Sequence, residues 1–154
     1  MRKVLLALDA AKGSDACVKA CARIFAAAPS RSVILLHVQQ LGGGPTLMHD
    51  RMSDTEIETL KEELGRFDAL QQLHSKARAL LESHRKKLQR RGIRASKLIV
   101  KTGHVAEEIL NTARDEGAEL IIVGNTRGAI AKLLMGDVVK AVASGAEVPV
   151  LLAR

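Results

Sequence analysis

The chain has 154 residues, the size of one domain, and 47% of them are hydrophobic, which is a globular rather than a disordered composition. With no Trp, no Tyr and only two Phe, the core must be aliphatic, and the aromatic platforms on which single-stranded nucleic acids stack are missing. No apolar run reaches the length of a membrane span and no signal-peptide pattern follows Met1, so a cytoplasmic location is expected.

The chain opens with an apolar run and a helical pattern. Residues 4–8 predict a buried strand that ends at Asp9. Ser14 is then predicted to be the N-cap of a helix. Cys17 and Cys21 lie four residues apart on the apolar side of that helix, and no other ligand set has metal-site spacing. We interpret the two thiols as small buried side chains and predict no metal site.

The next segment is the longest stretch between two predicted strands. Residues 32–38 predict the second strand, in which His37 is expected to be neutral and hydrogen-bonded. Residues 42–52 have no periodicity and predict a mobile loop. Residues 53–91 carry apolar side chains at three- and four-residue steps and predict a long helical segment, either continuous or broken near Gly65.

The positive charge of the chain is concentrated in one place. Residues 76–94 contain eight basic residues and one acidic residue, and so hold the whole net charge of +7. Upstream, residues 50–68 contain seven acidic and three basic residues, an order that complements a helix dipole. A solvated helix face is the favoured interpretation, and a nucleic-acid patch is the alternative.

The remainder alternates strands and helices with short connections. Residues 95–101 predict the third strand, residues 106–113 a helix, and residues 120–123 the fourth strand. An apolar stripe over residues 130–142 predicts a further helix, and residues 148–152 predict the last strand. The alternation predicts an α/β fold, an open doubly wound parallel sheet of five strands with helices on both faces. Ligands of such sheets bind beyond the carboxyl ends of the strands, where the strand order reverses.

Several short motifs resemble those of the universal stress protein family over essentially the whole chain. They are the strand ends at Asp9 and at His37-Val38, Gly103-His104-Val105-Ala106-Glu107-Glu108-Ile109, Ala118-Glu119-Leu120-Ile121-Ile122-Val123-Gly124, a helix start at Gly136, and Val148-Pro149-Val150. The resemblance implies one domain over residues 1–154, strand order 3-2-1-4-5, and homodimers that pair the last strands. Val148, Val150 and Leu152 would then lie at the dimer interface, because an apolar edge strand invites a partner.

The ATP-binding branch of this family carries a glycine fingerprint from which the sequence departs. Gly124 and Gly136 match its outer glycines, but the interval between them is one residue short. Thr126 stands where the middle glycine belongs, and its side chain limits how closely the backbone approaches phosphate. Asp137 replaces the hydroxyl residue and would repel a triphosphate.

The resemblance implies a nucleotide site at the ends of strands one, two and four. The candidate residues are Ala7, Asp9, Val38, Val123, Gly124, Arg127, Gly136 and Asp137. Arg127 or Lys132 could offset Asp137, although the sequence does not show whether either points inward. The possible ligands are ATP, ADP or AMP with magnesium. The alternative is purely structural: Asp9 caps a turn, Val38 and Val123 belong to the core, and the glycines permit turns.

Three functions follow from these observations. The first is a non-catalytic cytoplasmic dimer that acts in stress response through protein partners, without tight ATP binding. The second is an adenine-nucleotide sensor, and the third and least favoured of the non-catalytic functions is nucleic-acid binding through residues 76–94. No catalytic Ser/His/Asp set or paired carboxylates are identifiable, so the chain is not expected to be an enzyme.

Overall fold

The sheet of the computed structural model contains five parallel strands in the order β3-β2-β1-β4-β5. The structure describes residues 3–10, 13–25, 32–40, 68–124 and 136–154, except the side chains of 68–70. The strands are β1 (Lys3–Ala7), β2 (Ser32–Gln39), β3 (Ala95–Thr102), β4 (Leu120–Gly124) and β5 (Val150–Ala153). The predicted fold class and the strand order implied by the family resemblance are both confirmed.

Two layers of helices cover the sheet. The helices are α1 (Gly13–Phe25), α2 (Asp68–Gln89), α3 (Val105–Asp115) and α4 (Asp137–Gly145). Buried side chains of α1 and α2 pack on one face of the sheet, and those of α3 and α4 pack on the other. Among the described helices, none combines the length and the hydrophobicity needed to cross a membrane.

The central strand β1 contributes to both halves of the core. Val4 and Leu6 face α1 and α2, whereas Leu5 faces α3 and α4, and all three are fully buried. Successive strand residues point to opposite faces, so a strand covered on both sides must be apolar throughout. This explains why the sequence of β1 contains an unbroken run of apolar residues.

Glycines end α2 and α3 in the same way. Gly92 (φ 75°) and Gly117 (φ 62°) adopt the left-handed conformation that a side chain disfavours. In each case the following N–H donates to a carbonyl five residues earlier, that of Leu88 at 3.0 Å and that of Ala113 at 2.8 Å. This Schellman arrangement satisfies carbonyls at the helix end and turns the chain towards the next strand.

The structure differs from the predicted elements at its carboxyl end. The stripe over residues 130–142 predicted one helix, but Gly136 is extended (φ −60°, ψ 152°) and α4 begins at Asp137. The last strand begins at Val150 rather than at residue 148. Of the predicted segment 53–91, the described part forms the unbroken helix α2. Residues 53–67 and the predicted loop at 42–52 lie outside the described residues.

Candidate functional site

A cleft of about 660 Å³ opens at the carboxyl ends of β1, β2 and β4. Chain order reverses here, because β1 pairs with β2 on one side and with β4 on the other. Ligands bind at this switch point in open parallel sheets. Helix α2 supplies one wall of the cleft, and the first turns of α3 and α4 supply the opposite wall.

The end of β1 is tied to the first turn of α1. The Ser14 hydroxyl oxygen accepts a hydrogen bond from the Asp9 N–H at 2.7 Å. The same hydroxyl lies within donating distance of the Asp9 carbonyl oxygen (2.8 Å) and of carboxylate Oδ1 (3.0 Å). Ser14 was predicted to be an N-cap, but α1 begins at Gly13 and the hydroxyl bonds Asp9 instead. Ser14 therefore orients the acidic residue that lines the cleft.

His37 occupies the neighbouring position at the end of β2. Its Nδ1 donates to the Leu8 carbonyl oxygen at 2.8 Å, since a carbonyl only accepts. The predicted hydrogen-bonded histidine is thus confirmed. The contact joins the ends of β1 and β2, so the imidazole helps to fix the floor of the cleft.

Gly124 occupies the point where β4 approaches α1 most closely. A Cβ atom at Gly124 would lie 2.8–2.9 Å from the backbone carbonyl group and Cα of Gly13. Real Cβ atoms do not approach backbone atoms so closely, so only glycine fits without a backbone shift. This packing requirement gives Gly124 a structural role whether or not a phosphate binds beside it.

The structure brings most of the candidate residues together. Those that line the cleft are Ala7, Asp9, Val38, Val123, Gly124 and Gly136. Asp137 begins α4 beside Gly136, is exposed, and is not among the lining residues. Thr126, Arg127 and Lys132 lie outside the described residues. Val148, Val150 and Leu152 lie at or next to the β5 edge of the sheet, away from the cleft.

Sequence reasoning missed the contribution of α2 to the cleft. Leu73, Lys76, Ala77 and Leu80 line it, and Leu73 is 47% exposed. The spacing of the apolar residues among them indicated an apolar helix face. The spacing alone does not indicate which part of that face lies beyond the ends of the strands. Lys76 is the only lysine or arginine among the described lining residues, so it favours an anionic ligand.

The two thiols below the cleft are not reactive groups. Cys17 and Cys21 are buried and free. Burial raises the pKa of each to about 12, and the nearby Asp9 carboxylate also raises that of Cys17. Groups of three or more potential metal ligands are absent from the described residues. The interpretation of the cysteines as small buried side chains is confirmed.

The Usp model, described as the universal stress protein family, matches residues 1–154. The chain belongs to the universal stress protein family. The resemblance carried by the strand ends and glycine motifs is therefore confirmed. Among curated protein sequences, none gives a significant match.

Solved structures of the same family share the fold. The hypothetical protein MJ0577 is 26% identical, with a TM-score of 0.70 over 99% of this chain and 94% of its own. A universal stress protein in complex with cAMP is 19% identical, with a TM-score of 0.66 over 99% and 97%. One from Archaeoglobus fulgidus in complex with dAMP is 18% identical, with a TM-score of 0.57 over 100% and 98%.

Proposed function

We propose that this chain is a non-catalytic universal stress protein whose cleft binds an adenine nucleotide, a monophosphate in preference to a triphosphate. The observation that carries the proposal is the assembly of Asp9, Val38 and Val123 with two glycines around one cavity of about 660 Å³. Cavities of roughly 300–1,000 Å³ are typical of small-molecule sites. Family members of the same fold have been solved with cAMP and with dAMP.

The adenosine half of the ligand fits the ends of β1 and β2. The carboxylate oxygens of Asp9 accept hydrogen bonds, so their partners are donors such as an adenine amino group or a ribose hydroxyl. Ser14 holds this carboxylate in place. The apolar side chains of Leu73 and Leu80 on α2 provide a surface for the flat base.

The phosphate half meets a less favourable environment. Gly136 lines the cleft at the start of α4, where free backbone N–H groups attract an anion. Asp137 already places a carboxylate in the first turn of that helix, where it complements the helix dipole. A triphosphate brings more negative charge to this point than a monophosphate, so the repulsion selects against ATP.

The test is thermal unfolding of the purified protein with AMP, ADP or ATP, each with and without magnesium. A ligand at about a hundred times its dissociation constant stabilises the fold by about 2.7 kcal/mol. That should raise the midpoint by several degrees, at about 2–4 °C per kcal/mol. We expect the largest shift with AMP, and the absence of any shift would refute the nucleotide site.

The matched variants test the assignment of Asp9. Asp9→Asn keeps the oxygen that faces Ser14 but removes the charge, and it should abolish most of the shift with AMP. Asp115→Asn removes the same charge from an exposed position at the far end of α3 and should leave the shift intact. Equal shifts of the unfolding midpoint with AMP in the two variants would show that the nucleotide does not contact Asp9.

We further propose that the chain works as a cytoplasmic homodimer that pairs the β5 edges of two copies and acts on protein partners without catalysing a reaction. β5 pairs only with β4 among the described strands, and its Val150, Leu151 and Leu152 are half-buried. An apolar edge strand gains hydrogen bonds and burial when a second copy adds to it. The proposal of a non-catalytic role rests on the sequence, in which no catalytic Ser/His/Asp set or paired carboxylates are identifiable.

A further inference from the structure

A second groove of about 430 Å³ follows the opposite edge of the sheet. It is lined by Leu98, Ile99 and Val100 of β3 and by residues 74, 75 and 78 of α2. Successive side chains of a strand point to opposite faces. A groove on one face of the sheet would be lined by every second residue of β3. This groove is lined by three consecutive residues, so it follows the edge of the strand, where the backbone is exposed.

The backbone of β3 is available on this side. β3 is the last strand of the sheet order and pairs only with β2 within the described part of the chain. Its outward N–H and C=O groups have no strand partner there. Unpaired edge groups of this kind are a template for an added strand.

Positive charge flanks both sides of the edge. On α2 the charge is that of Arg78, which lines the groove one helical turn from the imidazole of His74. Lys97 and Lys101 are exposed on β3, two strand residues to either side of Ile99. Lys97 forms an ion pair with Glu116, whereas Arg78 and Lys101 have no ion-pair partner among the described residues. No described residue that lines the groove is acidic.

We propose that the β3 edge and the adjoining flank of α2 bind an extended acidic segment of a partner protein, which adds to the sheet as a sixth strand. The main-chain groups of β3 provide the hydrogen bonds. Arg78 and His74 contact acidic side chains on one face of the added strand, and Lys101 contacts those on the other. Alternate side chains thus give specificity while the backbone gives affinity.

The charges argue against two other occupants. A second copy of the chain would bring its own lysines against Lys97 and Lys101, and like charges opposite each other destabilise strand pairing. The β5 edge, Val150–Ala153, has no charged residue and lacks this barrier. A nucleic acid has no strand-like backbone donors and acceptors to match the β3 edge, and the chain offers no Trp or Tyr for stacking.

The experiment measures binding of a fluorescent peptide of alternating glutamate and valine by anisotropy. We expect binding to the wild-type protein and slower exchange of the outward β3 backbone amides in the bound state. Arg78→Glu combined with Lys101→Glu should weaken binding about tenfold, because each reversal replaces an attraction with a repulsion. Lys86→Glu combined with Arg90→Glu changes the charge equally, outside the groove-lining residues, and should weaken it by less than about threefold.

Two further probes separate strand addition from simple charge attraction. The same peptide methylated at every backbone nitrogen keeps its charge but cannot donate hydrogen bonds, so it should not bind. Equal binding of the methylated peptide, or an equal loss in both double variants, would overturn the proposal. So would tighter binding of a single-stranded DNA that is lost in the Arg78→Glu, Lys101→Glu protein, which would assign this surface to nucleic acid. Circular dichroism checks that each variant is folded.

Discussion

Single residues at the switch point are constrained by packing before any ligand is considered. Gly124 and Gly13 bring the end of β4 and the start of α1 into backbone contact. The next residue of α1, Ser14, holds Asp9 through its hydroxyl group. A disturbance of the Gly124 contact therefore reaches the acidic residue of the cleft through two adjacent residues, Gly13 and Ser14.

Gly124→Ala is expected to lower the free energy of unfolding by about 1–3 kcal/mol, because an overpacked contact is relieved only by moving backbone. Gly145→Ala is the matched control. Its Cβ would lie 2.7 Å from Leu110 Cδ1, the end of a flexible side chain that can rotate away. We expect a change below about 1 kcal/mol for the control. Urea unfolding measures the free energy of unfolding of both variants. Equal losses in the two would contradict the close contact between Gly124 and the Gly13 backbone.

His84 is the buried titratable side chain between α1 and α2, with 5% of its surface exposed. Its Nδ1 lies 3.9 Å from Asp15 Oδ1 and has no hydrogen-bond partner among the described residues. Burial lowers the pKa of His84, as does Lys87, while Asp15 and Asp9 oppose the shift. The folded protein therefore binds a proton at His84 less readily than the unfolded chain does.

The free energy of unfolding should consequently decrease as the pH falls below about 6.5, the ordinary histidine pKa, because the unfolded state then takes up more protons. His84→Leu should remove this part of the pH dependence. His74→Gln, at an exposed site on the same helix, should retain it. Urea titrations at several pH values measure whether the free energy of unfolding decreases as the pH falls. If His84→Leu had the same pH dependence as the wild type, His84 would not be its source.

At the scale of the element, α4 places a carboxylate next to the proposed phosphate site. Gly136 opens the first turn of the helix towards the cleft, and Asp137 occupies that turn. Asp137→Ser removes the charge and restores the hydroxyl group of the family fingerprint. We expect ATP to bind about tenfold more tightly, since one charge repulsion becomes a hydrogen bond, while AMP affinity changes by less than about threefold.

Isothermal titration measures both affinities for Asp137→Ser. The helix should lose about 0.3–1 kcal/mol of stability, because an acidic residue leaves the positive end of its dipole. Lys140→Ser, one turn further along α4, controls for general changes in charge on the helix. An ATP affinity that does not rise in Asp137→Ser would show that this carboxylate does not select against triphosphate.

The elements differ in how far the sequence determines them. β1 and β4 were predictable because a strand covered on both faces must be apolar along its whole length. Periodicity did not show that α4 begins at Asp137, because the apolar stripe of the sequence continues on both sides of Gly136. Only the family resemblance marked Gly136 as a helix start. The wall formed by Leu73 and Leu80 was missed because where α2 lies along the sheet depends on tertiary packing.

At the scale of the molecule, the two edges of the sheet have opposite character. The β5 edge is apolar, whereas the β3 edge carries Lys97 and Lys101. Charges at one edge prevent self-pairing there, while the apolar edge permits it. The proposed dimer and the proposed acidic partner would therefore use different edges of the same sheet.

This asymmetry predicts the behaviour of charge variants in sedimentation velocity. Val150→Glu should raise the dimer dissociation constant about a hundredfold, because two carboxylates would face each other across the paired strands. Lys86→Glu, at an exposed position on α2 and outside both edge strands, should sediment as the wild type does. Val148→Glu, just before the strand, serves as a second variant. Because Val148 and Val150 both also pack against the core, circular dichroism checks that each variant is folded. A monomeric wild type, or a dimer that persists in both β5 variants, would place the association elsewhere or exclude it.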